Sequence, residues 1–331
     1  MCLGIAFNAF KPIPRYNNES LSEIAVGITA HEVLTALTSK GHQCFLFPLG
    51  EDLKKFIQWL EETKPDVVIN LCEGYKGIPQ MEANVAAVFE LIGIPFTGNT
   101  SKVLALCQDK YMTKAILKSY GLPTPQCSLV TSPDRRIDLD FPVIVKPNSE
   151  DGSLGIGMNA VVFDKAELQR RVTEVIQRYE QPALIEEYIE GREFNIAIYD
   201  SSEPRALPVS EIDFSGMPEG TPHICSYEAK WHEESLLFLR TPPVCPARID
   251  GALVARLQKT ALDAFLVMGC RDYARIDFRI ADNGEIYILE VNPNPDISQS
   301  AGYARALAAA GIDYRNFWQS MTTKAMKRRW Q

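Results

Sequence analysis

The stretch RDYARIDFRIADNGEIYILEVNPNPDISQS (residues 271–300) decides the fold, because it has the pattern of two strands joined by a tight turn. Asn283-Gly284 is its strongest hairpin signal, since a type I′ turn needs positive φ at both central residues. Alternate side chains of a strand lie on one face. This period predicts a polar face and an apolar face. The polar face holds Arg275, Asp277, Glu290 and Asn292, and the apolar face holds Ile276, Phe278, Leu289 and Val291.

The length of the turn leaves two registers of this hairpin open. A two-residue loop at 283–284 sets Asp277 opposite Glu290, whereas a four-residue loop at 281–284 sets Arg275 opposite Glu290. Both registers bring two carboxylates and an amide oxygen together, which suits Mg²⁺, beside a cation that suits an anionic group. The alternative is a solvated face with an ordinary cross-strand ion pair.

Composition limits the classes of protein that fit. A chain of 331 residues with 46% hydrophobic and 23% charged residues is globular and long enough for two or three domains. Its net charge of −8 argues against a broad nucleic-acid surface. We expect no membrane span and no signal peptide, and the eight scattered cysteines are typical of reduced thiols. A cytoplasmic protein is therefore expected, with no nucleic-acid or membrane partner.

The first 100 residues alternate between strand and helix patterns, which predicts a parallel α/β unit. The predicted strands are 3–8, 42–49, 65–74 and 94–98, and the predicted helices are 20–40, 52–63 and 81–93. Ser20 and Glu23 have capping-box spacing at the first helix. Ligands of such sheets bind beyond the carboxyl ends of the strands, which here means the loop at 72–74 and the loop before Glu23.

A second unit begins near residue 101, with a basic helix predicted at 109–121. Predicted strands at 143–146 and 158–163 flank a loop that carries Gly152, Gly155 and Gly157. The G-K-[ST] ending of a P-loop is absent, yet glycines with small neighbours let backbone N–H groups close over phosphates. A plain flexible hairpin is the alternative. Lys146 ends the strand before the loop, where a lysine either snorkels or meets an anion.

Acidic residues follow on the next predicted strand, 183–189. Glu186 and Glu187 on this strand, and Glu193 after it, could accept hydrogen bonds from a nucleotide, although surface ion pairing with Arg192 is the simpler alternative. Residues 215–247 have the composition of a long, partly mobile loop containing Lys230, and such loops are often active-site lids. Helices are predicted at 250–270 and over the C-terminal segment.

These segments, in this order, resemble the ATP-grasp superfamily and, within it, the D-alanine–D-alanine ligase branch. The resemblance spans roughly residues 65 to 310 and rests on seven motifs. They are DKYMTK (109–114), PVIVKPNSEDGSLG (142–155), LIEEYIEGREF (184–194), YEAKW (227–231), VCPA (244–247), GCRDYARIDF (269–278) and YILEVNPNP (287–295). The resemblance implies an ATP-grasp fold: a parallel α/β domain (1–100), then two α+β subdomains (101–185 and 186–331) that clasp ATP.

The resemblance also implies roles for individual residues. Residues expected to bind ATP are Lys110, Lys146, Gly152, Ser153, Glu186, Glu187, Ile189, Glu193, Lys230, Phe278 and Leu289. Asp277, Glu290 and Asn292 would hold two Mg²⁺ ions, for which Mn²⁺ could substitute. Arg275 would stabilise the acyl phosphate and the tetrahedral intermediate, with Lys230 and Ser153 also catalytic. Cations are needed because a carboxylate attacking a γ-phosphate brings two anions together.

The amino-acid pocket departs from the D-alanine–D-alanine ligase pattern. Gly152 replaces the first serine of the usual E-G-S-S-x-G loop, Trp231 replaces a tyrosine, Asp296 replaces a glycine and Ala301 replaces a serine. A hydroxyl lost from a polar site can change discrimination by orders of magnitude. Two free D-alanines are therefore not the expected substrates. The residues assigned to the substrate pocket are Glu23, Glu73, Trp231, Arg275, Asp296, Ser298 and Ser300.

The leading hypothesis is an ATP-dependent carboxylate–amine ligase that works through an acyl phosphate and releases ADP and phosphate. Its partners would be small-molecule carboxylate and amine substrates, at least one an amino acid, with a homodimer possible by analogy. A tailoring enzyme of a natural-product or peptide pathway and an authentic D-alanine–D-alanine ligase both stay open. Outside this class, a non-catalytic nucleotide-binding module and an ATP-grasp kinase are the alternatives.

Overall fold

Three β-sheets organise the computed structural model, which describes residues 1–9, 21–50, 52–135 and 137–328. The side chains of residues 21–23 also fall outside the description, so neither the predicted capping box of Ser20 and Glu23 nor the substrate contact of Glu23 can be placed. None of the helices in these ranges combines the length and the apolar character that a membrane crossing demands. All eight cysteines are free thiols.

The N-terminal sheet is parallel, with strand order β2-β1-β3, as the alternating pattern predicts. Its elements are β1 (Cys2–Asn8), α1 (Leu21–Thr38), β2 (Gln43–Leu49), α2 (Leu53–Thr63), β3 (Val67–Leu71) and α3 (Glu82–Ile92). The predicted strand at 94–98 is wrong. Phe96 forms a single parallel bridge with Val68, and Gly98, with φ of 88°, then turns the chain away. Cys72 and Glu73 follow the carboxyl end of β3, in the loop where the sequence predicts that ligands bind.

The middle sheet is antiparallel, with strand order β4-β7-β5-β6. Its elements are α4 (Ser101–Gln108), α5 (Lys110–Ser119), β4 (Cys127–Val130), β5 (Val143–Pro147), β6 (Val161–Val162), α6 (Lys165–Tyr179) and β7 (Ala183–Glu187). The strand predicted at 158–163 is reduced to Val161–Val162, because Met158–Ala160 form a 3₁₀ turn. α4 was not predicted, although Thr100 caps it by accepting from the Val103 amide. The predicted domain boundary at 185 falls within β7, and the division into domains stays a prediction.

The C-terminal sheet has strand order β11-β10-β8-β12-β13, with β9 beside β8. Its strands are β8 (Gly191–Asp200), β9 (Pro204–Ala206), β10 (Ser210–Ile212), β11 (Pro243–Val244), β12 (Tyr273–Ala281) and β13 (Ile286–Asn292). The helices are α7 (Tyr227–Trp231), α8 (Leu236–Leu239), α9 (Gly251–Val267), α10 (Gly302–Ala309) and α11 (Tyr314–Met326). Residues 215–247 are therefore not one long loop. Ser226 and Ser235 cap the short helices α7 and α8, which lie within this segment.

Apolar packing joins the last helices to the first sheet. Trp318 on α11 and Tyr273 on β12 belong to the same buried cluster as Leu3 and Ile5 on β1. Asp272 reinforces this junction by accepting from the amide of Gly98 at 2.8 Å and from Arg328 at 2.7 Å. The two ends of the chain are thereby fixed against each other, which holds the carboxyl end of β3 beside the β12–β13 hairpin.

Candidate functional site

The β12–β13 hairpin brings its four polar side chains onto one face, as predicted. Arg275 lies opposite Asn292 and Asp277 lies opposite Glu290. Asn292 Nδ2 donates to Asp277 Oδ2 and to Glu290 Oε1, both at 3.0 Å. Arg275 donates to both carboxylate oxygens of Asp277 at 2.7 Å. Two carboxylates, an amide and a guanidinium therefore meet within hydrogen-bonding distance.

The turn differs from both predicted loops. The amide of Ala281 donates to the carbonyl of Glu285, so three residues close the hairpin, and only Gly284 among them has positive φ. A β-bulge between Asp277 and Phe278 then shifts the register by one residue and restores the Asp277–Glu290 pairing. The prediction of a type I′ turn is therefore wrong. The pairing of Asp277 with Glu290 that this turn implied is nevertheless present.

The bulge also decides which apolar side chains reach the site. Leu289, predicted on the apolar face, lines the cavity beside Glu290, whereas Phe278 is fully buried in the core on the other side of β12. Of these two residues assigned to ATP, the structure brings only Leu289 to the cavity.

The surroundings of the hairpin shift the pKa values of its two carboxylates in opposite directions. Burial would raise the pKa of Glu290, but the charges of Lys110 and Lys146 outweigh it and lower that pKa to about 2. Burial raises the pKa of Asp277 even though Arg275 opposes the shift. Burial disfavours the charge of Arg275, yet Asp277 and Glu290 hold its pKa above the ordinary value. The site is a dense array of paired charges rather than a solvated face.

A buried ion cluster forms the floor of the neighbouring unit. Glu186, 1% exposed, lies 3.0 Å from Lys146 Nζ and 3.2 Å from Lys114 Nζ. Burial raises the pKa of Glu186, but the two lysines outweigh it and leave the pKa below its ordinary value. Lys114 also donates to the carbonyl of Leu289 at 2.9 Å, which ties this cluster to the hairpin.

Lys110 lies behind the cavity wall rather than on it. Its Nζ donates to the carbonyl of Glu150, and lies 3.2 Å from Asp151 and 4.0 Å from Glu290. Burial works against its charge, but Asp151 and Glu290 outweigh the burial and raise its pKa. Lys110 therefore reaches the start of the glycine-rich loop and the hairpin carboxylate together.

The glycine-rich loop turns sharply at the cavity edge. Gly152 and Ser153 have φ of 63° and 62°, and Ser153 Oγ donates to the carbonyl of Cys225 at 3.0 Å. Gly155, with φ of 74°, is required by contact as well, because a Cβ there would lie 2.6 Å from Pro147 Cγ. Consecutive left-handed residues expose backbone N–H groups, and such nests bind anions.

The segment that carries Lys230 rests on this loop. Trp231 Nε1 donates to the carbonyl of Gly152 at 2.9 Å, and the amide of Tyr227 donates to the carbonyl of Ile156 at 2.9 Å. Lys230 Nζ lies 5.1 Å from the centre of the Trp231 ring, at a cation–π distance, and the lysine lines the cavity. The segment that carries Lys230, from Cys225 to Trp231, is thus held against the glycine-rich loop by three hydrogen bonds.

One cavity of about 1300 Å³ collects most of the predicted residues. The assigned residues on its lining are Glu73, Lys146, Gly152, Ser153, Glu186, Glu187, Ile189, Glu193, Lys230, Trp231, Arg275, Asp277, Leu289, Glu290, Asn292, Asp296, Ser298 and Ser300. Lys110 and Phe278 do not line it among the described residues. The cavity lies between the three sheets, and its size suits a nucleotide together with a small substrate.

Three of the predicted substrate residues, Asp296, Ser298 and Ser300, lie in the segment that follows β13. Ser298 and Ser300 have their hydroxyl oxygens 3.5 Å apart, and the amide of Ser298 donates to Asp296 at 2.9 Å. The amide of Glu73 donates to Asn8 across the N-terminal sheet at 2.6 Å.

Lys114 and Arg279 are charged residues of this site that sequence reasoning missed although the sequence carried a signal for each. Lys114 lies one helical turn after Lys110, so the spacing in DKYMTK could have revealed it. Arg279 follows Arg275 and Asp277 at the strand period of two, and it pairs with Glu193 at 2.9 Å. Burial raises the pKa of Glu193, and Arg279 opposes that shift. Both signals were present in the sequence.

The comparison with solved structures identifies the fold class. The D-alanine–D-alanine ligase of Bacillus anthracis in complex with ATP superposes with a TM-score of 0.73 at 22% identity, over 98% of this chain and 97% of that one. Another structure of that protein gives a TM-score of 0.74 at 21% identity, over 99% and 98% of the two chains. The architecture is that of an ATP-grasp protein.

The sequence comparisons narrow the class to a family. The family model described as D-ala D-ala ligase C-terminus matches residues 116–323. D-alanine–D-alanine ligase B of Chromobacterium violaceum is 31% identical over 86% of this chain and 87% of its own length. An uncharacterized protein, y4sG, of Sinorhizobium fredii is 33% identical over 91% of this chain and 88% of its own. The chain belongs to the D-alanine–D-alanine ligase family, and it is an ATP-dependent, ADP-forming C–N ligase.

Proposed function

We propose that the protein forms an amide bond between a small carboxylate and a small amine, at least one of them an amino acid, as a tailoring enzyme of a natural-product or peptide pathway. The carboxylate would attack the γ-phosphate of ATP to give an acyl phosphate and ADP. The amine would then displace phosphate. The observation that carries the proposal is the shared cavity, in which the glycine-rich loop, the polar face of the hairpin and Asp296 all meet.

The nucleotide is assigned to the side of the cavity formed by the middle sheet. Glu186, Glu187 and Ile189 would hold the adenine and Glu193 the ribose, because their groups line one continuous wall. Backbone N–H groups at Gly152 and Ser153, with Lys146 and Lys230, would bind the phosphates. Ser153 is already oriented by its bond to Cys225. Lys110 would act on the phosphates through the loop that it supports.

Divalent cations are assigned to the polar face of the hairpin, with two Mg²⁺ ions proposed. In the described part of the chain no three His, Cys, Asp or Glu side chains form a metal cluster, so the site depends on two carboxylates and an amide. The donors fit, since Asp277, Glu290 and Asn292 supply hard oxygen atoms within one hydrogen-bonded group. A bound cation would screen phosphate charge, and Arg275 beside it would stabilise negative charge on the reacting acyl group.

The substrate side supports a substrate other than two D-alanines. Trp231, where the family pattern has a tyrosine, uses its only donor on the carbonyl of Gly152. Gly152 itself has no hydroxyl. Neither residue can therefore offer the polar contacts that a tyrosine and a serine would make with a first D-alanine.

An authentic D-alanine–D-alanine ligase is the second candidate, and the named relative from Chromobacterium violaceum favours it. The two candidates differ in one measurable outcome: only an authentic ligase would restore growth to a bacterial strain that lacks its own D-alanine–D-alanine ligases. We further propose a cytoplasmic location and a homodimer, to be checked by cell fractionation and by light scattering.

The decisive experiment is a phosphate-release screen across D- and L-amino acids, singly and in pairs, with products identified by mass. We expect ADP formation that depends on both a carboxylate and an amine, and an amide product. Release of AMP and pyrophosphate would contradict the acyl-phosphate route. ATP binding without turnover would indicate a nucleotide-binding module, and a phosphorylated product stable to hydroxylamine would indicate a kinase.

A further inference from the structure

Three of the basic side chains that line the cavity, Lys146, Arg275 and Arg279, are paired with carboxylates. Lys146 pairs with Glu186 at 3.0 Å, and Arg275 pairs with Asp277 at 2.7 Å. Arg305 also lines the cavity, but it makes no salt bridge to any residue that the structure describes. An unpaired guanidinium in a ligand cavity offers a positive charge to something other than the protein.

The hydrogen bonds of Arg305 leave much of its capacity unused. A guanidinium carries five N–H donors in a planar fork. One of them, on Nη1, is used by the carbonyl of Ser300. The Nε donor is shielded from solvent and has no hydrogen-bond partner in the described structure. Nη2 donates to no residue that the structure describes, so a carboxylate in the cavity that accepts from it would supply the anionic partner that this guanidinium lacks.

The guanidinium also lies close to the reaction centre. A Cβ placed on Gly302 would be 3.6 Å from Arg305 Nη2 and 3.7 Å from Asn195 Oδ1, so these two polar atoms are neighbours across a small gap. Asn195 lies directly opposite Asp277 in the β8–β12 pairing. Arg305 is therefore one strand away from the hairpin face assigned to metal and acyl phosphate.

Asp296 also lines the cavity, and its negative charge acts on both Arg275 and Arg305. Burial lowers the pKa of Arg305, and Asp296 is close enough to oppose that shift. Asp296 also helps to hold the pKa of Arg275 above its ordinary value. The cavity lining thus presents the carboxylate of Asp296 and the unpaired cation of Arg305, which matches the two charges of an amino acid.

We propose that Arg305 binds the carboxylate of the amine substrate, while Asp296 faces its amino group, so that the acceptor is an amino acid or another amine bearing an anionic group. This assignment rests on the proposed function, since it requires an amine that attacks the carbonyl carbon of an acyl phosphate beside Arg275 and displaces phosphate. It also gives a reason for Ala301: with Arg305 one helical turn further along, no hydroxyl is needed at position 301 to hold the anion.

The test compares acids with their neutral amides. Glycine and D- and L-alanine, and the carboxamide of each, serve as acceptors in the phosphate-release assay with wild type, Arg305→Met and Arg305→Lys. We expect Arg305→Met to raise the KM of carboxylate acceptors about 10- to 100-fold, with kcat changed less than about 3-fold. The carboxamides should be poor for wild type and unaffected by the substitution, and Arg305→Lys should lie between. Arg315→Met, an exposed arginine on α11 that does not line the cavity, is the matched control and should behave as wild type.

A binding measurement separates this inference from the proposed function. The same six probes are titrated calorimetrically into protein saturated with ADP and magnesium. Carboxylate binding that Arg305→Met removes would support the assignment even if no pair released phosphate, in which case only the proposed function would fail. Equal use or binding of acids and amides by wild type would overturn it. The assignment would also be overturned if Arg305→Met weakened the binding or use of acids and of amides equally. It would be overturned as well if no carboxylate binding depended on Arg305.

Discussion

Replacing Glu186 with glutamine tests how much the buried ion cluster at the cavity floor contributes to the stability of the protein. The substitution keeps size and shape but removes the negative charge that faces Lys114 and Lys146. Both lysines are almost fully buried, with side-chain exposures of 2% and 8%. Neither can recover its hydration without movement of the chain.

The size of the effect follows from this burial. Breaking a buried ion pair by removing one partner costs about 3–5 kcal/mol. Burial already lowers the pKa of Lys114 despite Glu186, so this lysine can lose its proton in the variant and limit the penalty. We therefore expect a loss near the lower end, about 3 kcal/mol, and a Tm lower by about 4 °C. Urea unfolding of the nucleotide-free protein measures it.

The pH dependence gives this prediction a second, independent check. The pKa of Glu186 is below its ordinary value, so its contribution is present above the unfolded-state pKa and is lost as pH falls through the folded-state pKa. The gap between wild type and Glu186→Gln should therefore narrow below about pH 4. Glu187→Gln, at the next position and without an ion pair in the described structure, should stay within about 0.5 kcal/mol of wild type. Equal losses in both variants, or a gap that widens in acid, would refute the reasoning.

Three further substitutions probe the site. Asp277→Asn should lower turnover at least about 100-fold in a protein that still folds, and a normal rate at saturating magnesium would contradict the metal assignment. Lys230→Ala should raise the KM for ATP about 10- to 100-fold, because a charged hydrogen bond to phosphate is lost, with ADP affinity reduced less. Unchanged nucleotide affinity and turnover would exclude that contact. Gly155→Ala should destabilise by about 3 kcal/mol, since a left-handed φ and a clash with Pro147 combine. Gly121→Ala, with φ of 75° and nothing within 4 Å, isolates the backbone part, and equal losses in the two would show that the clash is absent.

The polar hairpin was predictable because local rules determine it. The strand period alone places Arg275 and Asp277 on one face, whatever the register. The length of the turn was not predictable, because Asp282-Asn283-Gly284 suits both two- and three-residue loops. The bulge at Asp277 offsets the one-residue shift in register that the three-residue turn introduces. No feature of the sequence predicts a bulge within this hydrophobic strand. Leu289 reaches the cavity for that reason alone.

Contacts between distant segments set the limit of sequence reasoning. The pairing of Glu186 with Lys114 joins residues on β7 and α5, and nothing in either segment specifies the other. Arg305 gave no signal at all, because one arginine on an alanine-rich helix is ordinary for a solvated surface. Its relevance depends on α10 lying beside β8, which only the assembled fold determines.

The same fold separates the parts of the site that the family pattern keeps from those that it changes. The hairpin carboxylates, which we assign to metal, lie on β12 and β13, which pair directly with each other. Lys146, which we assign to phosphate, lies on β5 in the middle sheet. Trp231 lies on α7, Asp296 lies in the loop after β13, and Arg305 lies on α10. None of these three residues belongs to the paired strands. Recognition can therefore change without disturbing the chemistry. On this basis the acceptor preference of the enzyme should move with substitutions at Arg305 and Asp296, while its release of ADP stays dependent on Asp277.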